Sequence, residues 1–153
     1  IAADPPDSGY RQVAKPRPPR VRHLGLVRRF YPATYALMRR CLRIAGLTGA
    51  VMTAQNRASG AYLALSGGDA DAAAPLARQD RAVLAYADRA ARLLKGLRRP
   101  AIVAAAELRR VAAHGAGSPR FAKSLRGLAA GLTSKRAVRA DRLAAAAAGG
   151  IDG

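Results

Sequence analysis

Tryptophan is absent from this chain, phenylalanine and histidine occur twice each, and cysteine and glutamate once each. Each shortage closes a class of function. The single cysteine, Cys41, cannot form an internal disulfide, and with only His23 and His114 beside it no metal-ligand set of ordinary spacing can be written. No metal and no cofactor are therefore expected. The nine carboxylates include one glutamate, the two histidines are far apart, and no serine has a plausible base near it in sequence, so the supply of polar groups for an active site is poor. The expectation is a protein that is not an enzyme and takes no small-molecule substrate. Alternating runs of β-branched residues are missing as well, which excludes the strand-borne aromatic platforms of RNA-recognition and oligonucleotide-binding barrels. No uninterrupted apolar run reaches membrane-spanning length, because the best candidate, residues 44–65, has Gln55, Asn56 and Arg57 at its middle.

Positive charge is what the chain has in excess. Lysine and arginine number 27 against nine carboxylates, for a net charge of +18, and no acid lies between Asp7 and Asp69, a stretch that carries eleven of the cations. Such a segment repels itself until something negative neutralises it, and nucleic acid is the commonest polyanion that can. Arginine dominates lysine, which suits planar, bidentate contacts to phosphate, although a GC-rich genome enriches arginine and alanine without any selection for binding. Half of the residues are hydrophobic, but alanine supplies about half of those. Close helix packing, or a partner that covers surface, must then replace bulky side chains as the source of folding energy.

Residues 1–31 read as an extended basic arm. Pro5, Pro6, Pro16, Pro18 and Pro19 do not suit a helix interior, and Arg11, Lys15, Arg17, Arg20, Arg22, Arg28 and Arg29 arrive without an apolar period to fold them. Fully extended, the arm would reach roughly 100 Å. The spacing from Pro16 to Pro19 fits a polyproline ligand poorly, since the basic residue is misplaced for either binding orientation. Ile at position 1 is consistent with a removed organellar presequence or with a longer chain.

Helical periodicity begins near Pro32. A first helix is expected to end at Gly46, with Leu37, Met38, Cys41, Leu42 and Ala45 on one face and Arg39, Arg40 and Arg43 on the other. Thr48 would cap a second helix running to about Ser66, stopped by Gly67 and Gly68, with Ala50, Ala54, Ala58 and Ala61 lined up for close helix approach and Val51, Tyr62 and Leu65 supplying bulk. Asp69, Asp71 and Pro75 open a third, to about Arg98, with an inner stripe of Leu76, Val83, Ala87, Ala90, Leu94 and Leu97. Pro100 restarts a fourth, through about His114, with Ala104, Leu108 and Val111 inward. Ser118-Pro119 caps a fifth, with Phe121, Leu125, Leu128 and Leu132 at helical spacing. From Thr133 or Ser134 a sixth would carry a second basic patch, Lys135, Arg136, Arg139 and Arg142. Residues 65–69 resemble the signature loop of ATP-binding cassettes, but no G-x-x-x-x-G-K-[ST] loop exists to hold a nucleotide.

The expected fold is all-α: a small irregular bundle of about five or six helices over residues 32–148, preceded by the basic arm 1–31 and followed by a tail, 149–153. The expected function is that of a non-catalytic architectural RNA-binding subunit of a large ribonucleoprotein, an organellar ribosome in the mitochondrial matrix being the assembly that fits. Its partners would be ribosomal RNA and neighbouring proteins. Two other readings stay open: a DNA-binding or packaging protein of a GC-rich bacterium or virus, there cytoplasmic, and an accessory scaffold subunit of an organellar energy-converting membrane complex, with its basic surface towards anionic lipid or acidic subunits. The candidate nucleic-acid-binding residues are the seven arm cations together with Arg39, Arg40, Arg43 and the Lys135–Arg142 patch.

Overall fold

A computed structural model describes residues 9–114, 117–135 and 139. Among them every regular element is helical, so the protein is all-α: α1 (Leu24–Phe30), α2 (Pro32–Ser66), a 3-10 turn (Ala70–Ala72), α3 (Ala73–Lys95), α4 (Arg98–His114) and α5 (Pro119–Leu132). Residues 13–21 carry no regular structure. Its later part, Leu24–Phe30, is a helix instead, separated from α2 by Tyr31 alone. Proline at 32 permits this, because the first helical position has no acceptor for the N–H that proline lacks.

The most informative difference from expectation lies inside α2, which runs without a break through Gly46 and Thr48. Thr48 does not cap a new helix; its hydroxyl donates to the Ile44 carbonyl, 2.9 Å away, in the same helix. Gly46 serves closeness of approach rather than termination, since a Cβ there would stand 2.9 Å from the backbone C of Arg17 and the backbone N of Pro18. The real stop is at Gly67 and Gly68. Gly68 adopts φ 101° and donates to Leu65 O at 3.1 Å, and Asp69 N donates to Ala64 O at 3.0 Å, which is the Schellman pattern. Asp69 then accepts from Asp71 N at 3.1 Å and starts the 3-10 turn that leads into α3.

Gly46 and Gly49 therefore answer oppositely to the same substitution. Gly49→Ala meets nothing within 4 Å and gains helix propensity, so it should stabilise by about 0.5–1 kcal/mol. Gly46→Ala presses against two backbone atoms that cannot swing aside, and should destabilise despite the same propensity gain. Thermal unfolding of the two single variants measures both signs.

The described residues form two compact units, one within Ile1–Pro18 and Arg43–Ala90, the other within Pro19–Leu42 and Ala91–Gly153. In the first, Tyr10 joins Ala61 and Ala72, with Ala64, Leu65 and Leu76 around them. Gln79 is fully buried, and its amide Nε2 donates to the carbonyls of Tyr10 and Gln12, each at 2.9 Å. Two acceptor carbonyls fix which end of that amide is nitrogen. Arg57 donates to Gln12 O, and Tyr86 Oη to Ala14 O at 2.8 Å, so residues 10–14 form a strap bound through their own backbone carbonyls. The Tyr10 hydroxyl adds a bond to Asp69 at 3.3 Å. In the second unit α4 and α5 pack on each other through Ala105, Leu108 and Ala112 against Ala122, Leu125 and Ala129, edged by Tyr31, Val111 and Leu132.

Among the described residues alanine supplies eleven of the sixteen buried apolar residues. Small side chains buy close backbone approach and little transfer energy, about 0.8 kcal/mol for each buried methyl. The buried line along each helix accordingly follows the alanines. Ala50, Ala54 and Ala61 of α2 are buried as expected, but Tyr62 is exposed. In α3 the buried residues are Pro75, Gln79, Ala82 and Ala90; of the expected stripe only Ala90 is fully buried, and the rest are half-covered. In α5 the expected Phe121 and Leu128 lie outside, 47% and 61% exposed. Ala104 and Leu108 of α4 are buried and Val111 is half-buried, in line with expectation. Ser118 caps α5 by accepting from Phe121 N at 3.1 Å. Of the expected sixth helix and the tail, only Lys135 and Arg139 fall within the described residues beyond Ser134.

Candidate nucleic-acid interface

Two of the few carboxylates are committed to backbone N–H groups and do not neutralise cations in the open. Asp69 caps the 3-10 turn. Glu107, the chain's one glutamate, is 3% exposed on α4 and receives the start of α2: Oε1 accepts from Ala33 N at 2.9 Å, and Oε2 accepts from Thr34 N and Thr34 Oγ1, both at 2.7 Å. First-turn amides lack intrahelical acceptors and carry the positive end of the helix dipole, so a carboxylate there is worth more than a neutral cap.

With Glu107 withdrawn, the second unit is strongly basic. Its described residues contain seventeen lysines and arginines and one carboxylate, the buried Glu107. The first unit has eight cations and four carboxylates among its described residues. All seventeen except Arg40 are exposed. Arg40 is half-buried, with Nε donating to Leu93 O at 3.0 Å and the guanidinium resting where a side chain at Gly96 would have to be. It ties α2 to the end of α3.

The candidate residues divide between the units. Arg11, Lys15, Arg17 and Arg43 are exposed in the first; Arg20, Arg22, Arg28, Arg29, Arg39, Lys135 and Arg139 are exposed in the second. Arg28 lies over the ring of Tyr35, 5.9 Å from its centroid, and Arg29 over that of Phe30 at 5.3 Å. Arg136 and Arg142 lie outside the described residues. Sequence reasoning passed over Arg98, Arg99, Arg109, Arg110, Arg120, Lys123 and Arg126, all exposed on α4 and α5. A signal for them existed: between Asp88 and Asp141 Glu107 is the one acid, against thirteen cations, a denser excess than the acid-free stretch before Asp69.

Cys41 is exposed rather than packed on an apolar face. Desolvation by neighbouring groups pushes its thiol up, and the charge of Arg40 opposes this. Among the described residues no three His, Cys, Asp or Glu side chains stand together as metal ligands, and no helix is long and apolar enough to cross a membrane. Comparison with protein-family models, with curated proteins and with solved structures gives no match. The class of protein rests on the fold and the charge distribution: an all-α chain with one markedly basic unit.

Proposed function

We propose that the chain is a non-catalytic, architectural RNA-binding subunit of a large ribonucleoprotein, and that its second unit lies against backbone phosphate. The observation that carries this reading is the ratio of seventeen described cations to one buried carboxylate in that unit. Charge of one sign at this density raises the free energy of the compact state, and condensed counterions relieve it only in part. Phosphates spaced along an RNA strand relieve it and release those counterions, which is the main source of sequence-independent affinity. An alanine-built core gives little energy in reserve, so neutralisation by a partner also stabilises the fold. An organellar ribosome in the mitochondrial matrix is the assembly that suits a small, arginine-rich, helical subunit of this kind.

Fractionation of the native source tests this. The protein should sediment with ribosomal subunits and stay with them after a salt wash and trimming of exposed RNA by nuclease. Release by DNase from a DNA-containing fraction, or recovery with a membrane complex, would replace the proposal with one of the other two readings.

A further inference from the structure

Helix α1 is an element the core does not account for. None of its seven residues is buried, and it presents Leu26 and Phe30, the latter 60% exposed, beside Arg28 and Arg29. Both of the chain's phenylalanines are exposed, Phe30 more than Phe121, and leaving Phe30 in water forgoes the burial energy it could have contributed. The segment is nevertheless held in place. Tyr31, next in sequence, packs against the α4–α5 core, Tyr35 N donates to Tyr31 O at 2.8 Å, and Glu107 grips the two amides after Pro32. The Phe30 ring is thus a largely exposed aromatic group mounted on an anchored segment, with the Arg29 guanidinium over it, 5.3 Å from its centroid.

We propose that Phe30, flanked by Arg28 and Arg29, is a stacking platform for an unpaired nucleobase, so that the nucleic acid taken by the second unit is single-stranded at this point. The inference deepens the RNA-binding reading and rests on it. An unpaired nucleotide offers a flat, weakly hydrated face joined to an anionic phosphate, which matches an exposed ring beside guanidinium groups. A duplex has its base faces already stacked and offers only the phosphate. Seven helical residues span about 10 Å, too little for the amphipathic face by which interfacial helices lie in a bilayer. An unpaired base joined to its phosphate uses the ring and the cations together.

Because the chain contains no tryptophan, Phe30→Trp places a single indole reporter on the platform. The full chain carrying it is titrated with a short single-stranded RNA, the same sequence as single-stranded DNA, the duplex RNA, and vesicles containing phosphatidylserine. Emission should be quenched by both single strands and not by the duplex. Quenching by RNA alone among the single strands also supports the platform and adds a 2′-hydroxyl contact. In the otherwise native chain, Phe30→Ala should weaken single-strand binding on the order of tenfold and leave duplex binding unchanged. The ring contributes nothing to the buried core, and unchanged circular dichroism verifies that the variant is folded. Equal quenching by duplex, a blue shift on vesicles without quenching by oligonucleotide, or unchanged single-strand affinity of Phe30→Ala would overturn the platform while leaving phosphate binding intact. Failure of the native chain to bind any of the nucleic acids would overturn both.

Discussion

Replacing Arg110, Arg120, Lys123 and Arg126 with glutamine should weaken RNA binding on the order of 100-fold at physiological salt, at every sequence tested. All four are exposed on α4 and α5, in the unit whose described residues include one buried carboxylate. Glutamine has nearly the helix propensity of lysine and arginine, so helicity should be preserved. The log–log salt dependence should flatten by about 3, since each lost phosphate contact removes a little under one unit of slope. In the other unit, replacing Arg78, Arg81 and Arg89, three exposed cations outside the candidate set, with glutamine should cost much less affinity for each charge removed. If binding responds only to net charge, the two sets will behave alike, charge for charge, in filter-binding or anisotropy titrations. That outcome would remove the second unit from its assigned role.

Glu107→Gln should be nearly as destabilising as Glu107→Ala, at about 3 kcal/mol, and should lower Tm by about 10 °C. Three donors converge on this carboxylate, and both of its oxygens are used as acceptors. An amide offers one acceptor and turns an N–H group towards an N–H group, leaving a first-turn donor of α2 unsatisfied in a buried place. A substitution that is usually mild therefore becomes severe. Calorimetric unfolding of the two variants checks this, and a Glu107→Gln protein as stable as the parent would show that the carboxylate is a bystander. Because α1 and Tyr31 immediately precede the gripped amides, loss of Glu107 should also loosen the segment that carries Phe30.

The helices were legible in the sequence where their boundaries depend on local chemistry. Ser118-Pro119 and the Gly67-Gly68 pair act through a cap, a missing N–H group and left-handed backbone, all local properties, whereas the break expected at Pro100 falls earlier, between Lys95 and Arg98. Gly46 misleads because its reason is tertiary. The backbone of Arg17 and Pro18 passes too near for a side chain, and no window along the helix contains that fact. The inward faces of α3 and α5 mislead for a different reason: periodicity weighs large apolar residues most, whereas this core is built by approach of alanine-lined surfaces, which turns Phe121 and Leu128 outward. Glu107 reads as one more surface charge until α2 is seen to begin against it. The strap at residues 10–14 was hidden because it is bound through backbone carbonyls, which every residue type has. The candidate cations were recognisable as a class from the absence of acids. Their division between two units, and the withdrawal of Arg40 into a structural bond, required the structure.

The most direct test is the salt dependence of RNA binding by the intact chain. A basic unit that lies along phosphate should give a linear fall of log K with log salt concentration, with a slope of about −4 or steeper on single-stranded RNA, corresponding to roughly six contacts or more. A slope near zero, with affinity that survives high salt, would mean that the cations of the second unit do not meet phosphate, and would contradict the assignment of this protein to RNA.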